Sequence, residues 1–166
     1  MSMISIRTST QRDRDAIRLV EEHAFGQPIE AGLVDALVAG GDAVTELVAE
    51  EEGDVVGHIL FSRLFVEDED GRFPAVALAP LAVEPSFHGT GIGGALVREA
   101  HVRLKDAGEK LAIVLGDPGY YGRFGYGRER AALFESDYQG NALQALAWGT
   151  APSRGRLVYA PAFGNL

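Results

Sequence analysis

The chain has 166 residues, almost half of them apolar, with 24 acidic and 15 basic side chains, a net charge of -9 and no cysteine. This length and apolar content suit one domain, residues 1–166, with a sizeable core. The acidic balance argues against nucleic acid and anionic membranes as partners, and the missing cysteines exclude disulfides, thiolate zinc sites and a cysteine nucleophile.

In chain order, "MISIRT" reads as a first strand. Thr10 with Asp13 forms a capping-box pattern, and Ala16, Ile17, Val20 and Ala24 make one helical stripe behind it. "FGQP" interrupts the pattern. Pro28 suits the start of a second helix with Ile29, Leu33 and Leu37 on one face, closed by Gly40 and Gly41. "AVTELVAE" and "VVGHILFSRLFV" read as a hairpin joined by "EEGD", and the acidic run Glu67–Asp70 makes the next turn. "FPAVALAPLAV" is a fourth strand. Its Pro80 cannot donate to a ladder, so an edge or a bulge is expected there. A helix from about Gly91 to Ala107 buries Ile92, Leu96, Ala100 and Leu104. "KLAIVLG" then reads as a central strand, with "DPGYYGRFGYG" forming a short helical turn after it. Hairpin-like strands are expected around "RAALFE", "LQALAW" and "RLVYAPAF". The order describes a mixed α/β layer structure whose fourth and fifth strands are joined by a parallel crossover through the long helix.

No run approaches the roughly eighteen apolar residues of a membrane span, and the N-terminus turns polar too early for a signal peptide. A cytoplasmic location is therefore expected. The four histidines show no ligand spacing and no nearby carboxylate cluster, so no metal is expected.

Four glycines lie between Gly89 and Gly94 and five between Gly116 and Gly127. Glycines that open a helix expose unpaired N–H groups where the helix dipole is positive, which suits a phosphate or diphosphate. A nucleotide P-loop needs a lysine and a hydroxyl after the last glycine; Ala95 and Leu96 stand there instead. Gly89, Gly91 and Gly94 also satisfy G-x-G-x-x-G. That loop comes mid-chain after hairpins, however, and the 49 residues after Asp117 are too few for further βαβ units. A glycine-rich turn without a ligand is the remaining alternative.

Val83-Glu84-Pro85 followed by His88-Gly89-Thr90-Gly91-Ile92-Gly93 resembles motif A of the GNAT N-acetyltransferase superfamily, with His88 where Gln or Arg is usual. "LGDPGYYGRFGY" with the late "RLVYAPAF" resembles the YhbS-like branch of that superfamily. The resemblance implies the GNAT fold: a central mixed, mostly antiparallel sheet with splayed fourth and fifth strands and flanking helices. It implies acetyl-CoA as co-substrate and direct transfer of the acetyl group to an amine, carried by a small molecule or by a peptide or protein. A coenzyme A sensor of the same fold without catalysis is the alternative.

By the same resemblance, main-chain groups of Leu81, Ala82 and Val83 would pair with the pantetheine arm. Residues His88, Gly89, Thr90, Gly91, Ile92, Gly93 and Gly94 would hold the diphosphate, and an amide near Val83 would face the oxyanion. Tyr121 matches the family's Y-x-x-x-G-aromatic spacing and would protonate the departing thiolate, as a phenol of pKa near 10 can. Glu84 is a candidate base, while Asp117 and His23 are as readily caps or surface groups. The segment Glu22–Gly32 and the strands after Tyr126 would contact the acceptor. Arg98, Arg103, Arg123 and Arg128 are candidates for offsetting phosphate charge, and a homodimer through the C-terminal strands is possible on this reading.

Overall fold

A computed structural model describes residues 3–165; Met1, Ser2 and Leu166 of the expected domain lie outside it. Its strands are β1 (Ile4–Thr8), β2 (Ala43–Glu51), β3 (Asp54–Asp68), β4 (Gly71–Val83), β5 (Leu111–Leu115), β6 (Phe134–Glu135), β7 (Leu143–Ala147) and β8 (Gly155–Val158). Helices α1 (Arg14–Phe25), α2 (Ile29–Ala39), α3 (Ile92–Asp106), α4 (Pro118–Tyr121) and α5 (Arg128–Ala131) are set between them. The main sheet runs β1-β2-β3-β4-β5-β7. Pairing is antiparallel except between β4 and β5 and between the short β6 and β8.

Alternation along the strands divides the core between two faces. Leu47, Ala49, Ile59, Phe61, Val76 and Leu78 pack under α3, meeting Ile92, Leu96, Ala100 and Leu104 as its spacing predicts. Val48 and Leu60 point the other way, onto Ile17, Leu33, Val34 and Leu37 of α1 and α2. Ala75, Ala77, Leu111 and Ile113 continue that second face toward β7 and α5. Each fully buried Leu, Ile or Phe in these layers contributes about 1.5–3 kcal/mol. One expected core position departs from the pattern: Ile29, at the first turn of α2, is half exposed.

Two expectations for the C-terminal part are corrected. "RAALFE" is not a strand throughout. Arg128–Ala131, all good helix formers, make a helical turn, and only Phe134–Glu135 pair, with β8. In "RLVYAPAF" the strand stops at Val158, because Pro161 lacks an N–H and opens a 3₁₀ turn. Nor does β8 form a hairpin with β7; it extends the outer end of β3.

The expected irregularity at Pro80 is a bulge. Pairing of β3 with β4 jumps from Ile59↔Leu81 to Phe61↔Leu78, so Ala79 and Pro80 together face Leu60. On the other side, β4 and β5 pair only through Val76↔Ala112, Ala77↔Ile113 and Leu78↔Val114. Past Leu78 the two strands part.

α1 is tied to the sheet by a buried polar cluster. His58 of β3, fully buried, bonds through Nδ1 to Glu21 Oε2 of α1 and through Nε2 to Glu46 Oε2 of β2, both at 2.7 Å. Arg14 and Ser9 hold the other oxygen of Glu46. Burial alone would lower the imidazole pKa, but its hydrogen bonds to the two carboxylates outweigh this and the pKa ends raised. Glu46 is held down at about 2: burial pushes it up, but bonds from His58, Arg14 and Ser9 prevail. At the start of α1, the Thr10 N–H donates to Asp13 Oδ2 at 2.7 Å, and Arg7 clamps the Asp13 carboxylate at 2.8 and 2.9 Å.

Both buried histidines hold the fold through contacts that substitution removes. Replacing His58 leaves two carboxylates in the interior without their shared partner, so His58→Ala is expected to cost about 3–5 kcal/mol in denaturant unfolding. His101 lies on the other face of the sheet, against Phe61, Tyr126 and Trp148, with Nε2 2.9 Å from the Tyr126 hydroxyl. Burial, and then nearby Lys105, bring its pKa down to about 4. The unfolded chain takes up this proton near pH 6.5, the folded chain only near 4. The contribution of His101 to stability therefore falls as pH falls between these values, by about 3 kcal/mol in all. His101→Gln should flatten the stability–pH slope in that window, as read by unfolding curves at several pH values.

Candidate active site

The parting of β4 from β5 opens a cleft with a cavity on each side of the bulge. An antiparallel ladder bonds alternate residues to a given neighbour. The Glu84 N–H donates to the Val56 carbonyl and Ala82 lies opposite His58, so Leu81 and Val83 turn their main-chain groups into the gap. Ala82 lines the cavity, but its N–H and C=O face β3.

The first cavity, about 570 Å³, runs from Leu81–Val83 to the glycine loop. Its far wall is the N-terminus of α3. Gly91 is the cap residue there, at φ 89°, and Gly89 stands at φ 78°, a region only glycine enters freely. The first-turn amides of Ile92, Gly93 and Gly94 have no acceptor within the helix and point outward. Thr90 bends the loop by donating its hydroxyl to the Phe87 carbonyl. Nε2 of His88 lies 2.8 Å from the Val83 carbonyl, so this histidine uses one of the strand's free acceptors while leaving the Val83 N–H open.

Of the four arginines, the structure brings Arg98 and Arg123 to this cavity. The Arg123 guanidinium stacks over Tyr120 at 4.7 Å, and that of Arg98 lies 5.2 Å from the Phe124 ring centre. Arg103 bonds Thr8 and Arg128 bonds Asn141, both elsewhere. A diphosphate carried by an extended, amide-bearing arm fits this arrangement of donors, cations and open strand edge.

The second cavity, about 490 Å³, lies across the bulge. It is bounded by Ala77–Leu81, by Ile113–Asp117 and by Tyr121, with the start of α2 and the aromatic residues of the C-terminal segment closing it. Phe25 and Leu81 belong to both cavities and form the partition.

The adjacent tyrosines are divided between them. Tyr120 faces the first cavity, where a Cβ on Gly93 would come within 2.7 Å of its hydroxyl. Tyr121 faces the second, packed so closely over Gly116 that a Cβ there would lie 2.5 Å from its ring. Burial, reinforced by neighbouring Tyr120, pushes the Tyr121 phenol up to about 12, so it is fully protonated at neutral pH.

Glu84 lines neither cavity. Its Oε1 is 2.8 Å from His23 Nδ1, and this pair joins the end of α1 to the end of β4. Asp117 caps α4 by accepting from the Gly119 N–H at 3.1 Å, and it also borders the second cavity. Among the described residues there is no group of three or more potential metal ligands, and no helix long and apolar enough to cross a membrane.

Several contributors escaped the sequence reading. Phe25 is the partition, but its segment carried only a general expectation of acceptor contact. Tyr138, Tyr159 and Phe163 were covered only by the general expectation that the segment after Tyr126 contacts the acceptor, and no motif singled them out within it. Ile29 keeps the helical period in sequence yet is half exposed in the structure, where it stands at the cavity mouth.

Residues 5–128 match the family described as acetyltransferase (GNAT) domain. The chain is 41% identical over 116 residues to the uncharacterized N-acetyltransferase YjhQ of Escherichia coli, an alignment covering 69% of this chain and 64% of that protein. It is 36% identical over 122 residues to the uncharacterized N-acetyltransferase YhbS of the same species, covering 73% and 72%. Among solved structures, a GNAT family acetyltransferase from Brucella melitensis in complex with acetyl-CoA is similar with a TM-score of 0.83 at 36% identity, covering 97% of this chain and 98% of that one. The YhbS structure in complex with CoA reaches a TM-score of 0.90 at 27% identity, covering 99% and 93%. The chain belongs to the GNAT family, and its fold is the GNAT fold.

Proposed function

We propose that this GNAT-family chain is an N-acetyltransferase that moves an acetyl group from acetyl-CoA directly to an amine. One observation carries the reading: the unpaired edge of β4 beyond Leu78 meets the glycine-opened end of α3 in one cavity, and a second cavity adjoins it across Phe25 and Leu81. That two relatives were crystallised with CoA or acetyl-CoA supports it.

On this reading the loop from His88 to Gly94 receives the diphosphate on its main-chain N–H groups, with Arg98 and Arg123 offsetting charge. The open groups of Leu81 and Val83 extend the strand edge to the pantetheine arm, and an N–H in this stretch faces the oxyanion. Acetyl-CoA supplies the activated acyl carbon and the thiol leaving group. An N–C bond forms and the C–S bond breaks, while one proton leaves the amine and one reaches sulfur. Tyr121 provides the proton for sulfur, since its phenol is protonated and borders both the bulge and the amine's cavity. Glu84, paired with His23 and lining neither cavity, takes the proton of the amine through water.

Thiol release from acetyl-CoA that depends on an added amine tests the proposal. Calorimetric binding of CoA without turnover across a broad amine panel would instead favour a sensor. Tyr121→Phe is expected to lower kcat about a hundredfold with CoA affinity nearly unchanged, and an unaltered kcat would remove the tyrosine from the chemistry. At Gly91, a β-branched side chain is strained at positive φ and fills the cradle. Gly91→Val is therefore expected to cost about 1–2 kcal/mol of stability and to weaken CoA binding at least about tenfold, equivalent to about 1.4 kcal/mol.

A further inference from the structure

The cavity proposed for the amine has a composition that narrows its occupant. Its inner wall is apolar and buried, built from Leu33, Leu78 and Ile113. Its rim is apolar and exposed: Phe25, Ile29, Leu115 and Tyr138 are 41%, 50%, 48% and 39% accessible. Nine large hydrophobic side chains are exposed among the described residues, and four of them meet on this one cavity, a concentration that marks a binding surface. Tyr159 and Phe163 add aromatic faces, which suit a flat apolar body and a cation.

The charges in the lining have one sign. Glu30 and Asp117 are present, with no lysine, arginine or histidine beside them. Glu30 is aligned by Gln27, whose amide reaches both carboxylate oxygens at 3.1 Å, and one oxygen of Asp117 takes the Gly119 N–H.

We propose that the acceptor is a small primary amine with an aromatic or branched-alkyl body and no carboxylate; this rests on the acetyltransferase reading above. An ammonium group is drawn to Glu30 and Asp117, and the net charge of -9 favours its approach. An amino-acid carboxylate would meet two like charges and no cation, and burying it unpaired is costly. An aminosugar carries hydroxyl groups that an apolar wall leaves unpaired, and a polyamine such as spermidine brings three ammonium groups to a lining with two carboxylates. A peptide N-terminus would bring amide groups into the same apolar wall. The volume of about 490 Å³ lies in the usual range for a small organic ligand.

The test compares 2-phenylethylamine, 3-methylbutylamine, phenylalanine, spermidine and a peptide with N-terminal phenylalanine as acceptors in the thiol-release assay. The first two are expected to exceed phenylalanine about a hundredfold in kcat/KM and to exceed spermidine and the peptide as well. Glu30→Gln should raise KM for 2-phenylethylamine about tenfold while CoA affinity and melting temperature stay as in the wild type. Comparable use of phenylalanine, spermidine or the peptide would overturn the inference, as would an unchanged KM in Glu30→Gln. Calorimetric titration of 2-phenylethylamine into the CoA-saturated protein separates this inference from the transfer reading. Heat without turnover upholds the amine site and removes the transfer, and no heat overturns the amine site. If CoA itself does not bind, the same titration on the chain alone still decides the amine site.

Discussion

From Ala79 to Val83 the fourth strand has a neighbour on one side only. Buried backbone N–H and C=O groups are rarely left without partners, so an interrupted ladder within a sheet needs a local cause. Here the cause is covalent. Proline cannot donate to a ladder, and the bulge at Ala79–Pro80 puts two residues opposite Leu60. The groups released on the far side belong to Leu81 and Val83, and they line a cleft rather than a packed interior. Both cavities, the partition and the placement of Tyr121 follow from that interruption.

A second constraint fixes the walls. The cleft is bounded on one side by the end of α1, and α1 is held by Glu21 and Arg14 in a buried cluster centred on His58. His58 lies opposite Ala82, so the anchor of the helix sits directly behind the open strand edge. The His23–Glu84 pair repeats the connection at the surface. With α1 tied down at both levels, Phe25 stands where the two compartments meet.

Much of this was legible in the residues. Pro80 inside a strand pattern signalled the bulge, the glycines from Gly89 to Gly94 signalled a helix opening with free amides, and the spacing of Ile92, Leu96, Ala100 and Leu104 fixed the face of α3. What was hidden depends on long-range placement. Nothing local distinguishes Arg98 and Arg123 from Arg103 and Arg128; only the packing of α3 against the α4 segment separates them. Nothing local marks His58 as the centre of a cluster, because its two carboxylates are 37 and 12 residues away. The C-terminal segment misled because a strand and a helical turn of four residues offer too little period to tell apart.

Among the described residues only Phe25 and Leu81 touch both compartments, and substitutions at residues that share no contact combine almost additively. On the proposed reading the donor is gripped largely through peptide groups, whose positions a change of side chain elsewhere leaves alone. Mutational drift in the far compartment can then explore new guests while the ancestral grip on the donor persists, which would let paralogues diverge in what they modify without losing what they modify it with.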